Sequence, residues 1–116
     1  IACSDLDDRR NYSISQKNKE ILEQFFLLKN IHAEIIQIPL PSEIIVENKR
    51  LVASYINFYF SKNSIFLPKF NVKEDELVYD IFKSLYKDKN IKMIETKNIN
   101  YGGGNIHCVT MNVPKI

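Results

Sequence analysis

All three glycines of the chain stand in one run, Gly102 to Gly104, and Cys108 follows four residues after the last of them. Glycine permits backbone conformations with positive φ and lets another group approach the chain closely. A cysteine thiolate is a strong nucleophile, but an ordinary thiol is mostly protonated at neutral pH and needs a cationic neighbour, which a positively charged substrate can supply. The pattern therefore allows two interpretations. Cys108 is either a nucleophile presented beside a tight backbone feature, or a small core residue beside an ordinary turn.

Neither histidine is predicted to act as the partner of Cys108. Successive side chains of an extended chain point to opposite faces, so His107 faces away if Cys108 faces a site. We therefore predict a core or supporting position for His107. His32 stands at a helix–strand connection and is predicted to lie at the surface. The base, and any carboxylates that hold a substrate, are expected in upstream sequence.

Asn57 is a polar residue within an apolar segment. Burying an amide without partners costs a few kcal/mol, so we predict that Asn57 is fully hydrogen-bonded and fixes a neighbouring loop. Contact with a substrate is the second interpretation. Asp5, Asp7 and Asp8 lack the spacing of an EF-hand loop, and we interpret them as a solvated connection.

Composition excludes several classes of function. The chain has 116 residues, of which 45% are hydrophobic and 26% are charged, with a net charge of +2. The basic residues are dispersed among acidic ones, which does not favour nucleic-acid binding. No apolar run reaches the roughly 20 residues needed to span a bilayer. Cys3 and Cys108 have the spacing of neither a disulfide framework nor a metal site, so we expect a reduced, cytoplasmic protein without a metal.

The first half of the chain predicts one helix and a short strand. Ser13 or Ser15 is predicted to cap the helix, because either hydroxyl can accept from an unpaired backbone N–H. The buried face of this helix is predicted from apolar residues at helical spacing, namely Ile14, Ile21, Leu22, Phe25 and Leu28. A strand is predicted over 33–38 and an edge strand over 44–46.

The second half predicts a sheet. Residues 52–60 are rich in β-branched and aromatic side chains and give the strongest strand prediction. Residues 61–64 are typical of a hairpin loop, which returns the chain into a strand over 65–67.

A second helix, another strand and a terminal strand are predicted after this hairpin. Asn71 is predicted to cap the helix. Its inner face is predicted to consist of Leu77, Val78, Ile81, Phe82 and Leu85. Strands are predicted over 91–94 and, after the glycine loop, over 106–111.

Residues 101–110, Tyr-Gly-Gly-Gly-Asn-Ile-His-Cys-Val-Thr, resemble the C-terminal nucleophile motif of agmatine deiminases. These enzymes belong to the guanidine-modifying (pentein) superfamily, and bacterial-type peptidylarginine deiminases are close relatives. Two further stretches agree in order and spacing. Residues 53–59 resemble the central strand of the family, and Leu67-Pro-Lys-Phe70, followed by Asp75 and Glu76, is also similar.

The resemblance implies an α/β fold within a five-bladed α/β propeller. Residues 1–116 would form the C-terminal part of a single catalytic domain and cover about the last one to two ββαβ-type units, with the N-terminal blades absent from this chain. The composition of Ile1-Ala2-Cys3 is typical of the end of a buried strand, which also leads us to expect sequence upstream. Residues 112–116 could close the chain.

The resemblance also implies a chemistry. Cys108 would attack agmatine and, through a covalent amidino-cysteine intermediate, give N-carbamoylputrescine and ammonia without a metal or organic cofactor. The backbone at Gly103 and Gly104 would contact the substrate. The implied partners are the guanidine substrate and the remainder of the same enzyme, without nucleic acid or membrane, and a homo-oligomer stays open. Two alternatives remain: a peptidyl-arginine substrate, and a non-enzymatic α/β binding module in which Cys108 is a core residue.

Overall fold

The computed structural model describes residues 1–113, apart from the side chain of Arg10. The chain divides into two compact units, Ile1–Leu40 and Pro41–Ile116. Each unit combines helix and strand, so the predicted α/β class is confirmed. The chain end predicted over 112–116 lies partly outside the described residues. Of the helices within residues 1–113, none is long and apolar enough to cross a membrane.

The first unit contains one long helix, α1 (Arg9–Leu28), and two strands that pair in parallel, β1 (Ala2–Cys3) and β2 (Ile38–Pro39). The prediction of a strand over 33–38 is wrong except at its last residue, because β1 offers a partner of only two residues. The rest of that segment has no regular structure.

The predicted caps of α1 are also wrong, because the helix begins earlier. Asp8 is the N-cap, and its carboxylate accepts from the backbone N–H of Asn11 at 3.3 Å. Ser15 instead lies inside the helix, where its hydroxyl donates to the carbonyl of Tyr12 at 2.9 Å. A carboxylate near the N-terminus of a helix is favoured both as a hydrogen-bond acceptor and by the helix dipole.

The apolar face of α1 is largely exposed, which contradicts the prediction that it is buried. Leu22 is half-buried, whereas the other four residues of that face are open to solvent. Their exposed fractions are 49% for Ile14, 52% for Ile21, 46% for Phe25 and 84% for Leu28. The pattern correctly indicated an amphipathic helix. Whether the apolar face of such a helix is buried depends on residues that lie far away in the sequence.

The second unit opens with a hairpin. Its strands, β3 (Ile45–Val46) and β4 (Lys49–Arg50), are antiparallel, which confirms the edge strand predicted over 44–46 except for Ile44. Glu47 and Asn48 form the turn with φ values of 50° and 60°. Two consecutive positive φ values are typical of the type I′ turn, whose twist matches that of the flanking strands.

A three-stranded sheet follows, made of β5 (Tyr59–Phe60), β6 (Ser64–Lys69) and β7 (Asn90–Glu95) in that order. The strand β5 runs antiparallel to β6, whereas β7 runs parallel to it. The strands predicted over 65–67 and 91–94 are thereby confirmed, with β6 and β7 longer than predicted, and the hairpin loop predicted over 61–64 is confirmed except for Ser64, which belongs to β6. Ile65 and Leu67 of the central strand are fully buried.

The strongest strand prediction, over 52–60, is wrong for all but its last two residues. Residues 51–58 lack regular structure because their backbone groups bond to other parts of the chain. The N–H of Leu51 donates to Ile44, and the carbonyl of Val52 accepts from the Asn100 side chain. The carbonyl of Asn57 accepts from the N–H of His107.

The second helix of the prediction is α2 (Glu74–Leu85). Val78 and Phe82 of its predicted inner face are buried, whereas Leu77 and Leu85 are exposed. Asn71 does not cap α2, because its φ of 61° turns the chain before the helix starts. The backbone N–H groups around that turn bond instead to the carboxylate of Asp75.

Candidate functional site

The glycine run forms the link between two short helices. The helix α3 (Lys97–Tyr101) has Gly102 as its C-cap, and a 3₁₀ helix (Ile106–Val109) follows. Gly103 has a φ of 89°, a conformation that side chains rarely adopt, and its N–H donates to the carbonyl of Asn100 at 2.9 Å. The positive φ therefore explains why position 103 is a glycine.

The strand predicted over 106–111 is wrong, because local contacts close a 3₁₀ helix there. The Asn105 side chain accepts from the N–H of Ile106 at 2.8 Å, and the N–H of Cys108 donates to the carbonyl of Asn105 at 2.9 Å. Three residues make one turn of a 3₁₀ helix, so neighbouring side chains do not alternate between two faces. His107 and Cys108 therefore do not have to face opposite sides, as they would in a strand. His107 is exposed, rather than placed in the core.

Cys108 is an exposed, free thiol, and two other segments reach it. The side-chain amide nitrogen of Asn57 lies 3.1 Å from the Cys108 sulfur. On the other side, a Cβ built at Gly104 would lie 3.0 Å from the Cys108 Cβ and 3.3 Å from its sulfur. The close approach predicted for the glycine run thus occurs at Gly104, against the cysteine itself.

Hydrogen bonds lower the pKa of the Cys108 thiol. The largest cause is donation from the Asn57 side chain, followed by a backbone hydrogen bond from Asn105, and these outweigh a small opposing effect of burial. Donors aimed at a sulfur favour its charged form. Cys108 therefore carries more thiolate at neutral pH than an ordinary exposed cysteine does, which is a property of reactive cysteines.

Asn57 holds the 3₁₀ helix at two points. Besides the contact with the thiol, its backbone carbonyl accepts from the N–H of His107 at 3.2 Å. Its side-chain oxygen is buried and has no hydrogen-bond partner among the described residues, so the prediction of a fully bonded amide is wrong for this atom. Sequence reasoning singled out Asn57 as a polar residue in an apolar segment but did not connect it with Cys108.

Two further asparagines, which the sequence analysis did not identify, hold the glycine run through hydrogen bonds to the backbone. The Asn100 amide donates to the carbonyls of Val52 at 2.8 Å and of Gly104 at 3.3 Å. Asn105 caps the 3₁₀ helix, as described above, and both asparagine side chains are buried. Their positions on either side of Tyr-Gly-Gly-Gly were the available signal, since asparagine commonly bonds to backbone groups at turns.

Tyr101 links the glycine run to the hairpin of β3 and β4. Its hydroxyl donates to the carboxylate of Glu47 at 2.7 Å, and this hydrogen bond raises the pKa of the Tyr101 phenol. Both residues are exposed, so the contact lies at the surface of the second unit.

The remaining candidates lie in the first unit. His32 is exposed, as predicted, and Asp5 and Asp7 are exposed as well. Cys3 is a free, half-buried cysteine, and burial raises the pKa of its thiol. Within residues 1–113, no group of three or more His, Cys, Asp or Glu side chains is arranged to hold a metal ion.

Asn57→Ala is expected to move the alkylation of Cys108 by iodoacetamide to higher pH. The variant removes the donor that contributes most to the lowered pKa of the thiol, so less thiolate is present at neutral pH. Asn57→Asp is expected to move the profile further, because a carboxylate beside a thiolate disfavours the charged sulfur. The measurement is the alkylation rate of the Cys108 peptide across pH. An unchanged profile for Asn57→Ala would contradict the assigned role of the contact.

Gly104→Ala is expected to displace Cys108, because the new Cβ would lie 3.0 Å from the Cys108 Cβ. A displaced thiol loses the hydrogen bond from Asn57, so the alkylation of Cys108 by iodoacetamide at neutral pH is expected to slow. Gly102→Ala is the control, since its φ of −73° suits alanine and its Cβ would meet the carbonyl of Ile99, not the cysteine. Equal alkylation rates of Cys108 in both variants would show that the glycine contact does not position the thiol.

Comparison with known proteins gives this site its context. A profile of the family described as Porphyromonas-type peptidyl-arginine deiminase matches residues 1–114, which include the glycine run and Cys108. The chain belongs to this family. A "Putative agmatine deiminase" of Marinomonas sp. (strain MWYL1) is 33% identical over a 134-residue alignment. The alignment covers 99% of this chain and 36% of the relative.

Solved structures agree with this family on the fold. The agmatine deiminase of Enterococcus faecalis superimposes with a TM-score of 0.82 at 24% identity. This superposition covers 98% of this chain and 36% of that structure. The C. jejuni agmatine deiminase gives a TM-score of 0.81 at 24% identity, with 92% and 32% covered. The chain thus spans about a third of the length of the relatives that it matches.

Proposed function

We propose that this chain is the nucleophile-bearing part of a hydrolase that deiminates a guanidinium compound, with Cys108 as the nucleophile. The observation that carries the proposal is the exposed thiol, with its lowered pKa and its contacts to Asn57 and Gly104, in a chain of the peptidyl-arginine deiminase family. Agmatine is the proposed substrate, because curated relatives at 33% and 30% identity carry the name "Putative agmatine deiminase". The proposed products are N-carbamoylputrescine and ammonia.

The proposed reaction has two steps. The Cys108 thiolate attacks the central guanidinium carbon, the C–N bond breaks, and the departing nitrogen takes up a proton and leaves as ammonia. An amidino-thioether then remains on Cys108. Water attacks the same carbon, the C–S bond breaks, and the urea product leaves with the thiol restored. One water molecule is consumed for each ammonia released, and no electrons are transferred to another compound.

The rest of the machinery is proposed to come from the remainder of a longer protein. A guanidinium is resonance-stabilised, so carboxylates must grip its planar fork bidentately, and a base must move protons. In this proposal residues 1–116 are the C-terminal part of one catalytic domain, a five-bladed α/β propeller. The backbone at Gly103 and Gly104 lines the substrate site. The chain by itself is then inactive, and the whole enzyme works in the cytoplasm without a metal or an organic cofactor.

Peptidyl-arginine is the second candidate substrate, and the description of the matching family favours it. The same attack on a side-chain guanidinium would give peptidyl-citrulline and ammonia. A non-enzymatic binding module is the third hypothesis. It requires Cys108 to be a core residue, whereas the thiol is exposed and accepts a hydrogen bond from Asn57.

Product analysis of the intact protein tests the proposal. We expect ammonia and N-carbamoylputrescine from agmatine, and little or no citrulline from a peptide with an internal arginine. Citrulline from the peptide without turnover of agmatine would replace the first substrate by the second. No turnover of either compound would contradict the deiminase proposal itself.

A further inference from the structure

Asp75, in the first turn of α2, is a buried carboxylate with four donors around it. Its oxygens accept from the backbone N–H groups of Phe70 at 3.1 Å, Asn71 at 2.7 Å and Val72 at 3.2 Å. The fourth donor is the hydroxyl of Tyr55, 2.6 Å from the same oxygen that Phe70 approaches at 3.1 Å. Three of these contacts close the turn before α2, but the fourth leads to a different segment of the chain.

Tyr55 is the anchor of that segment. It is fully buried, and its ring packs edge-on against Phe70 with 5.2 Å between the centroids. Burial and the bond to Asp75 raise the pKa of the Tyr55 phenol, so it stays a donor over the whole physiological range. Residues 51–58 have no strand or helix to hold them, and Tyr55 therefore fixes them through a side chain.

The anchor lies two residues before Asn57, the residue whose amide reaches the Cys108 sulfur. We infer that Asp75, by holding the hydroxyl of Tyr55, positions Asn57 and through it the Cys108 thiol. Asp75 and Tyr55 are thus positioning residues, which touch neither the thiol nor a substrate. Their meaning for catalysis rests on the proposed deiminase function, whereas their effect on the thiol does not.

A purely structural role of Asp75 would also explain its burial, and the residue beside it provides a matched control. Glu74 begins the same helix, is buried, and accepts from the backbone N–H of Ser42 at 3.0 Å and from its hydroxyl at 2.8 Å. Burial raises the pKa of Glu74, but the bonds from Ser42 outweigh it and leave the pKa lowered. Ser42→Ala and Tyr55→Phe each remove one hydroxyl from a carboxylate of α2, but only Tyr55 belongs to the segment that carries Asn57.

The experiment compares these two variants in the intact protein. Rates of iodoacetamide alkylation at Cys108 are measured across pH, after circular dichroism has shown that both variants fold. We expect Tyr55→Phe to shift the profile to higher pH and to slow alkylation at pH 7 by about fivefold, the effect of a typical single hydrogen bond. Ser42→Ala is expected to keep the profile of the wild type while lowering the urea midpoint of unfolding.

Two results would overturn the inference: a Tyr55→Phe profile that coincides with the wild type, or an equal shift in Ser42→Ala. If Tyr55→Phe does not fold, Phe70→Leu is the second variant, since it keeps every donor to Asp75 but removes the ring that packs against Tyr55, and it is expected to shift the profile in the same direction. Failure of the proposed function is seen separately. It would appear as no turnover of agmatine or peptidyl-arginine by the wild type, whereas the alkylation profiles need no turnover.

Discussion

Replacing Cys108 with alanine is expected to lower the kcat/KM of the intact protein for the proposed guanidine substrate by at least about 10³-fold. The reason is chemical, because without the sulfur no amidino-thioether can form and water must attack a poor electrophile directly. The exposure of the thiol and its contact with Asn57 favour Cys108 for this role. The measurement is the rate of ammonia release at substrate concentrations well below KM, where the rate is proportional to kcat/KM.

Cys3 provides the matched control for this prediction. It is the only other cysteine of the chain, and it lies half-buried in the first unit. Cys3→Ala is expected to change kcat/KM by less than about threefold, as for substitutions away from a site. Full activity of Cys108→Ala, or a loss in Cys3→Ala of the size predicted for Cys108, would contradict the assignment of the nucleophile.

Asp75→Ala is expected to have the largest effect on stability of the variants considered. It leaves the backbone N–H groups around Asn71 and the buried hydroxyl of Tyr55 without their acceptor. Unpaired buried donors cost about 1–3 kcal/mol each, so we expect a loss of about 3 kcal/mol or more in the free energy of unfolding. For a large domain this corresponds to a fall in Tm of about 6–12 °C, measured by calorimetry.

The control for Asp75 is its neighbour Glu76, which stands in the same helical turn but is exposed. Glu76→Ala removes the same kind of charge from the N-terminus of α2 and is expected to change stability by about 0.5 kcal/mol or less. Equal losses in both variants would mean that the helix dipole, not the buried hydrogen bonds, explains the effect of Asp75.

The elements that could be predicted from the sequence are those specified by neighbouring residues. The strand β6 contains a short apolar run after a polar turn, β7 contains Ile91, Met93 and Ile94 after the polar turn that follows α2, and α2 repeats its apolar residues at helical spacing. The hairpin loop over 61–64 follows from the same local pattern. In each case the local preference and the packing of the sheet agree, so the pattern was sufficient.

The site itself could be predicted only in part, because contacts over long sequence separations shape it. Residues 52–58 have strand-like composition, yet Tyr55 bonds to Asp75 twenty residues away and Asn57 to Cys108 fifty-one residues away. The composition of a segment does not indicate which distant residues its side chains bond to. The 3₁₀ helix of Cys108 was missed for a different reason, since Asn105 acts as a cap and overrides the strand preference of Ile106 and Val109.

In the proposed reaction Cys108 forms a covalent bond to the guanidinium carbon of the substrate. The most direct test of this bond is rapid quenching of the intact protein during turnover of agmatine, followed by mass spectrometry of its peptides. We predict that the peptide that contains Cys108 gains the mass of agmatine less one ammonia, and that this adduct appears before steady state and disappears when agmatine is exhausted. An adduct on another residue, or active enzyme whose Cys108 peptide stays unmodified throughout turnover, would contradict the account.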